Sequence, residues 1–353
     1  MTQDAAGNGN AFGDGSELAV ALVGTGVMGE DHARRIVERM PGIRLVSVCD
    51  IDPDRASKVA ALAPGCRTNT DALAEIASPD VDAVIIASPG FTHEALVHAA
   101  IAAGKPVFCE KPLTPAADSS LGIVEAELAI GKRLVQVGFM RRYDPGFRQI
   151  RDLAESDELG PIRMLHCAHR AASVPGDPQP EFLVYDCLVH EFDQVRWLTG
   201  REISSVQIVR HTTEAHPLGE ARCPLLAVIE LDNGIIVSVE VNVFAGLGYE
   251  VRCEAVFADG AVTAGAAAAQ SSIAVSAAGS AKNEITSDFR ARFAAAYEEQ
   301  MRDWAKAAAQ GGASGASAWD GYVAAVAIDA GLQSQVDGAR HVVLQRERPE
   351  LYR

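Results

Sequence analysis

Asp186 and His190 stand four residues apart in YDCLVHEFDQVRWLTG, and Lys111 lies in VFCEKPL. Leu188, Val189, Phe192, Val195, Trp197 and Leu198 recur at spacings of three and four, which predicts a packed amphipathic helix. On such a helix an i, i+4 pair shares one face, so both polar groups can enter a single cleft. Two readings fit this spacing alone: a catalytic acid–base pair, or a satisfied core histidine beside an Asp of the first turn. A metal site does not fit, because VHEFDQ lacks the second His of H-E-x-x-H. A second pattern, VALVGTGVMGEDHA, places Gly24, Gly26 and Gly29 in G-x-G-x-x-G between a strand-like and a helix-like run. There Gly24 serves a tight turn, Gly26 lets the backbone approach a pyrophosphate, and Gly29 allows close helix–strand packing.

These residues need a frame, and the first half of the chain supplies the rhythm of one. LAVALVG, IRLVSVCD, VDAVIIASP, KPVFCEKP and RLVQVGFM read as buried strands separated by helical segments, which predicts a doubly wound parallel sheet. The second strand ends at Asp50, about 20 residues past the glycines, where a carboxylate bonds adenosine ribose hydroxyls. No Arg follows it immediately, which favours NAD over NADP. IASPGFTH falls near the topological switch point, so Ser88, Pro89 and His93 are candidates to line a nicotinamide, His93 equally reading as a loop or helix-start residue. Lys111 ends its strand facing the same crevice.

From Ile162 onward the strands alternate and carry the hairpin signals Asp232-Asn233-Gly234 and Asp259-Gly260, predicting a second, mostly antiparallel sheet backed by helices. The expected organisation is a flexible tail over 1–17, a Rossmann domain over 18–138 and a second α/β domain over 139–353. The small-residue stretch from Ala261 to Ser280 reads as edge strands and turns.

Composition narrows the function. In a chain of 353 residues, 48% hydrophobic and 22% charged residues are those of an ordinary globular protein. A net charge of -16 argues against a nucleic-acid partner, yet leaves room for an anionic cofactor held by backbone N–H groups. Seven scattered cysteines without C-x-x-C suit a reducing cytoplasm. The opening segment has no signal-peptide pattern, and no apolar run reaches membrane-spanning length.

G-x-G-x-x-G, E-K-P and D-x-x-x-H, in this order, resemble the glucose-fructose oxidoreductase/inositol dehydrogenase family of NAD(P)-dependent enzymes. FCEKPL, GKRLVQVGFMRRYD, HCAHR, LVHEFDQVRWL, GYEVRCE, RFAAAYE and AWDGYVAAV are similar to bacterial inositol 2-dehydrogenases within it, from about Leu18 almost to the C-terminus. The resemblance implies a Rossmann domain, a second domain with a large open sheet, NAD, and a homo-oligomer, commonly a tetramer. It gives Lys111, Asp186 and His190 the catalytic positions. His190 is then the general base, Asp186 orients it or binds the neighbouring hydroxyl, and Lys111 bonds the reacting oxygen.

Gly24, Gly26, Val27, Met28, Gly29, Asp50, Ile51, Ser88, Pro89, His93, Glu110 and Lys111 are expected at the cofactor. Arg141, His169, Tyr249 and Tyr297 join the catalytic three at the substrate, though either Tyr also suits a core. One departure stands out: Ala171 and Ala172 follow His169-Arg170, where the inositol enzymes carry Asn and Pro. A lost polar contact changes selection among polyols. The expected activity is oxidation of a secondary hydroxyl of a cyclitol to an inosose. A pyranose dehydrogenase is the alternative, and a non-catalytic dinucleotide sensor a third reading.

Overall fold

A parallel strand covered on both faces must be apolar throughout, and β1 (Leu18–Val23) is buried at every position. The computed structural model describes residues 17–174, 179, 181–209, 223–246, 248–265, 274–277, 280–283, 286 and 288–353. The expectations for the tail over 1–16, for 210–213, for most of VPGDPQP and for much of the small-residue stretch lie outside them. β2 (Ile43–Cys49), β3 (Arg67–Asn69), β4 (Ala83–Ile86), β5 (Val107–Cys109) and β6 (Val135–Val137) join β1 in a parallel sheet ordered β3-β2-β1-β4-β5-β6. Helices α1 (Val27–Arg39), α2 (Pro53–Ala60), α3 (Ala72–Ala77), α4 (His93–Ala102) and α5 (Ala117–Ile130) connect the strands. The order reverses between β1 and β4, which opens a crevice at their carboxyl ends.

After α6 (Pro145–Ser156) the chain enters a second sheet. Its strands are β7 (Ile162–Arg170), β8 (Ile203–Val209), β9 (Leu225–Leu231), β10 (Ile236–Asn242), β11 (Glu250–Phe257) and β12 (Ala261–Ala264), while β13 (Ala274–Ala277) and β14 (Ser280–Asn283) pair as a separate two-stranded sheet. The order is β12-β11-β7-β10-β9-β8-β15, the last strand being the two-residue β15 (His341–Val342). Every pairing is antiparallel except that of β7 with β10. Burial alternates along β9, as expected of a sheet with one covered face.

The covered face rests on α7 (Val189–Thr199) and, beyond the short α8 (Phe289–Arg292) and α9 (Ala294–Ala309), on α10 (Ala318–Asp337). The sequence reading carries one regular α-helix through Asp186. Instead a π-helical turn, Leu183–Leu188, precedes α7, so Asp186 lies in the wider turn and His190 in the first α-helical one. Such turns are frequent at functional sites.

The two halves interlock. Met301, Trp304, Ala305 and Ala308 of α9 bury against the first sheet with Val20, Leu22 and Phe108, and Trp304 meets Phe108 edge-on at 5.9 Å. The Val137 N–H donates to the Ala316 carbonyl at 2.8 Å, and a capping box at Ser317 and Asp320 starts α10 beside that joint. Trp304→Ala should therefore lower stability by about 3–5 kcal/mol in urea unfolding. Trp304→Phe should cost far less, because it keeps a ring and removes an indole N–H that is buried without a partner among the described residues. Equal losses in the two variants would contradict this packing.

Candidate active site

The crevice at the switch point is shaped by glycines. Gly24 has a φ of 93°, and a Cβ there would lie 2.5 Å from the Ser88 backbone nitrogen, so the loops after β1 and β4 can meet only without a side chain. A Cβ on Gly29 would sit 2.0 Å from the Gly24 carbonyl oxygen. Gly26 differs: nothing lies within 4 Å of its Cβ position, and it caps α1 without any side-chain hydrogen bond. The first N–H groups of a 13-residue helix thus face open space through the one glycine whose Cβ would fill it. Val27, the first residue of α1, and Ile51, just past the end of β2, have 58% and 88% of their surface exposed.

Asp50 closes the far end. Its Oδ2 accepts from the Thr25 N–H at 2.8 Å and the Thr25 hydroxyl at 2.6 Å, and its Oδ1 from the Asp52 N–H at 2.9 Å. Burial raises its pKa, but these bonds outweigh burial and hold the carboxyl below the ordinary 3.8. No Arg follows Asp50 immediately in sequence, yet α2 returns Arg55, which comes within 3.6 Å of its Oδ1.

The sheets meet at Lys111. Its Nζ donates to Asp186 Oδ1 at 2.8 Å and to the Asp186 carbonyl at 3.1 Å, joining the end of β5 to the π-helical turn. Burial pulls the Lys111 pKa down, but the Asp186 carboxylate prevails and the ammonium is held above its ordinary value. His190 lies beside this pair, 8% exposed, with its ring 6.3 Å from that of His169 and 6.4 Å from that of Phe139. Burial, then the positive charges of Arg141 and Lys111 and the neighbouring His169, push its pKa well below 6.5. The expected orientation of His190 by Asp186 takes another form: Asp186 gives its bond to Lys111, and His190 Nδ1 is buried without a partner among the described residues.

His169 and Tyr249 converge on the same place. Their rings meet edge-on at 6.0 Å, and burial raises the Tyr249 pKa. Three of the expected contact residues have their polar groups engaged by neighbours within the protein. Arg141 is 2% exposed, its guanidinium donating to Glu191, to Gln194 Oε1 at 3.0 Å and to His169 Nδ1 at 3.1 Å, so it supports the cleft from beneath. His93 is fully buried with its ring nitrogens 2.9 Å from the Ser88 and Pro112 carbonyl oxygens, which ties the loops after β4 and β5 together. Glu110 turns inward, its Oε1 2.7 Å from His32 Nε2 and its Oε2 accepting the Lys111 N–H at 3.2 Å.

Tyr297 packs against that same His32 at 6.1 Å and under the Arg35 guanidinium at 4.6 Å. Ser88 bonds Thr92 through their hydroxyls at 2.6 Å, and Pro89 starts the turn Gly90–Thr92 between β4 and α4. Met28 sits in the first turn of α1 and packs on the core. His32, Glu191 and Gln194 were not singled out from the sequence. The signals were present: His32 is three residues past Gly29, and Glu191 and Gln194 are one turn apart on the helix of His190.

Residues 18–139 match an oxidoreductase family described by its NAD-binding Rossmann fold, and residues 151–344 match the C-terminal alpha/beta domain of the same family. The chain belongs to the glucose-fructose oxidoreductase/inositol dehydrogenase (GFO/IDH/MocA) family. Within this family it is 47% identical to inositol 2-dehydrogenase 4 of Saccharopolyspora erythraea, over 95% of this chain and 98% of that one. It is 42% identical to inositol 2-dehydrogenase of Streptomyces avermitilis, over 95% and 97%. Myo-inositol dehydrogenase from Lactobacillus casei, solved in complex with NAD(H) and myo-inositol, superposes with a TM-score of 0.90 at 30% identity, over 96% of this chain and 100% of that one. Among the described residues no helix is long and apolar enough to cross a membrane, and no group of three or more His, Cys, Asp or Glu is placed to hold a metal ion.

The setting of His190 has a sign that can be measured. A depressed folded pKa means that below pH 6.5 the unfolded chain takes up a proton that the fold resists, so this residue erodes stability as pH falls. Histidine NMR titration of the cofactor-free protein should place the His190 midpoint below 6.5. A midpoint at or above that value would contradict the described environment.

Proposed function

We propose that the chain is an NAD-dependent dehydrogenase that oxidises a secondary hydroxyl of a cyclic polyol, as an inositol 2-dehydrogenase does. The observation that carries this reading is the convergence of a buried neutral imidazole, His190, with the charged Lys111–Asp186 pair at the mouth of a glycine-lined crevice. Bound NAD supplies the hydride acceptor. Gly24, Gly26 and the start of α1 suit its pyrophosphate, Asp50 its adenosine ribose, and Val27 and Ile51 its apolar surfaces.

In this reading His190 takes the hydroxyl proton, which an imidazole of low pKa can do because it is already neutral at neutral pH. Lys111 donates to the reacting oxygen and stabilises the charge that develops there. Asp186 keeps Lys111 charged and aimed, and its side chain, about one-third exposed, is available to a neighbouring hydroxyl. His169 and Tyr249 line the wall beyond His190. Arg141, Glu110, His32 and His93 act as supports. Water is displaced by the substrate in this setting, which strengthens both polar contacts.

The substrate wall favours a cyclitol whose contacts differ from those of myo-inositol. Ala171 is buried at the end of β7, its N–H donating to the Asn242 carbonyl and its carbonyl accepting from Ala245, so only a methyl group is presented there. A pyranose is the second reading, and this same methyl group is what favours it. We also place the division between the two domains at 138/139 and take the working form as a homo-oligomer, a tetramer. The outer face of the second sheet, which leaves Val209, Leu226 and Ile236 exposed, supports assembly.

His190→Ala should lower turnover with the preferred cyclitol by about two to four orders of magnitude while NADH binding, read by fluorescence, stays nearly unchanged. Near-normal turnover would remove His190 from its role. In the wild type, rates on inositol stereoisomers should exceed those on every pyranose. The reverse order would favour the sugar dehydrogenase, and no rate on any of them would favour the sensor.

A further inference from the structure

A second polar cavity lies away from the crevice, where α7 ends at Gly200 and α10 begins at Ser317. Its volume is about 260 Å³, and five arginines line it: Arg133, Arg142, Arg151, Arg196 and Arg348. In a chain of net charge -16, such a concentration of guanidinium groups around one concavity calls for an explanation.

Two of the five are balanced. Arg142 is paired with Asp193 and Asp320, and Arg196 with Glu202 and Asp320; of these five residues all but Glu202 are largely buried. They fix α7 to the start of α10 and form the floor. The other three are differently placed. Arg151 reaches Glu155 on its own helix, a residue 61% exposed, and its guanidinium lies 4.9 Å over the Trp197 ring, which holds the group in position. Arg133 donates through Nη2 to the Gly315 carbonyl at 3.0 Å, and its Nε is buried with no hydrogen-bond partner among the described residues. Neither Arg133 nor Arg348 makes an ion pair among the described residues. The guanidinium donors of Arg133, Arg151 and Arg348 that no buried carboxylate holds are available to an oxyanion, which arginine bonds strongly.

We propose that this cavity is a binding site for a phosphoryl group, as free phosphate or as the end of a small phosphomonoester, held by Arg133, Arg151 and Arg348 above the Arg142–Asp320–Arg196 floor. The forked donors of arginine match phosphate oxygens two at a time. The volume lies just below the usual range for small-molecule pockets, about 300–1,000 Å³, and excludes a dinucleotide. The Asp320 carboxylate at the floor repels an anion, so the ligand sits toward the outer three arginines. Occupancy ties together α6, the end of the helix that carries His190, the turn before α10 and the C-terminal segment. It therefore stabilises the second half of the molecule from a point outside the crevice.

The test uses protein saturated with NADH, so that the glycine loop cannot take the phosphate. Inorganic phosphate should raise the melting temperature saturably relative to sodium chloride of equal ionic strength, and calorimetry should give a single site. Arg151→Ala, at a half-buried position, and Arg348→Ala, at an exposed one, both outside the catalytic machinery, should each weaken phosphate binding about tenfold. NADH affinity should not change in either. Glycerol 3-phosphate in place of phosphate separates an esterified ligand, which then binds more tightly, from free phosphate, which then binds better. Absence of a saturable effect, or wild-type phosphate affinity in either variant, overturns the proposal.

Discussion

The bond between Lys111 and Asp186 is the point at which two independently built sheets become one site. Lys111 comes from the carboxyl end of a parallel strand, and Asp186 from a π-helical turn about 75 residues later, under the second sheet. Neither position is useful alone. A lysine drawn into a protein interior tends to lose its proton, and here the Asp186 carboxylate, with a smaller share from Glu110, reverses that tendency. The interlocking of α9 with the first sheet holds the two halves in the relation that keeps this bond at 2.8 Å.

The same positive charges serve His190. Lys111 from one side and Arg141 from beneath oppose its protonation, and burial acts in the same direction. Arg141 can be buried there because Glu191, held down at about 2, remains a carboxylate beside it. Base, ammonium and their supports thus form one electrostatic unit in which each charge has a stated opponent. Glu110 and His32 extend that unit into α1, behind the glycine loop, since Glu110 also accepts the backbone N–H of Lys111. The cofactor end and the acid–base end are therefore linked through packed polar contacts as well as through the sheet.

Much of this was legible in the residues. The glycine spacing, the apolar strands and the place of Asp50 follow from local rules, and the structure brings Lys111, Asp186 and His190 together. What was missed has physical reasons. β3, Arg67-Thr68-Asn69, is an edge strand of three polar-leaning residues with no apolar run to signal it. The π-helical turn leaves no mark in a hydrophobic pattern read at 3.6 residues per turn. Arg141, His93 and Glu110 look like site residues in sequence because they are polar and close to the motifs. Whether such a group faces a ligand or a buried partner depends on tertiary neighbours, such as Glu191 or His32, that no local pattern contains.

The most direct test is a crystal structure of the protein with NADH and the ketone of its preferred cyclitol. The account predicts Lys111 Nζ and His190 Nε2 both within about 2.6–3.2 Å of the carbonyl oxygen, with the carbonyl carbon facing the nicotinamide ring. A coenzyme lying away from the glycine loop, or a ketone oxygen that contacts only one of the two groups, would contradict it.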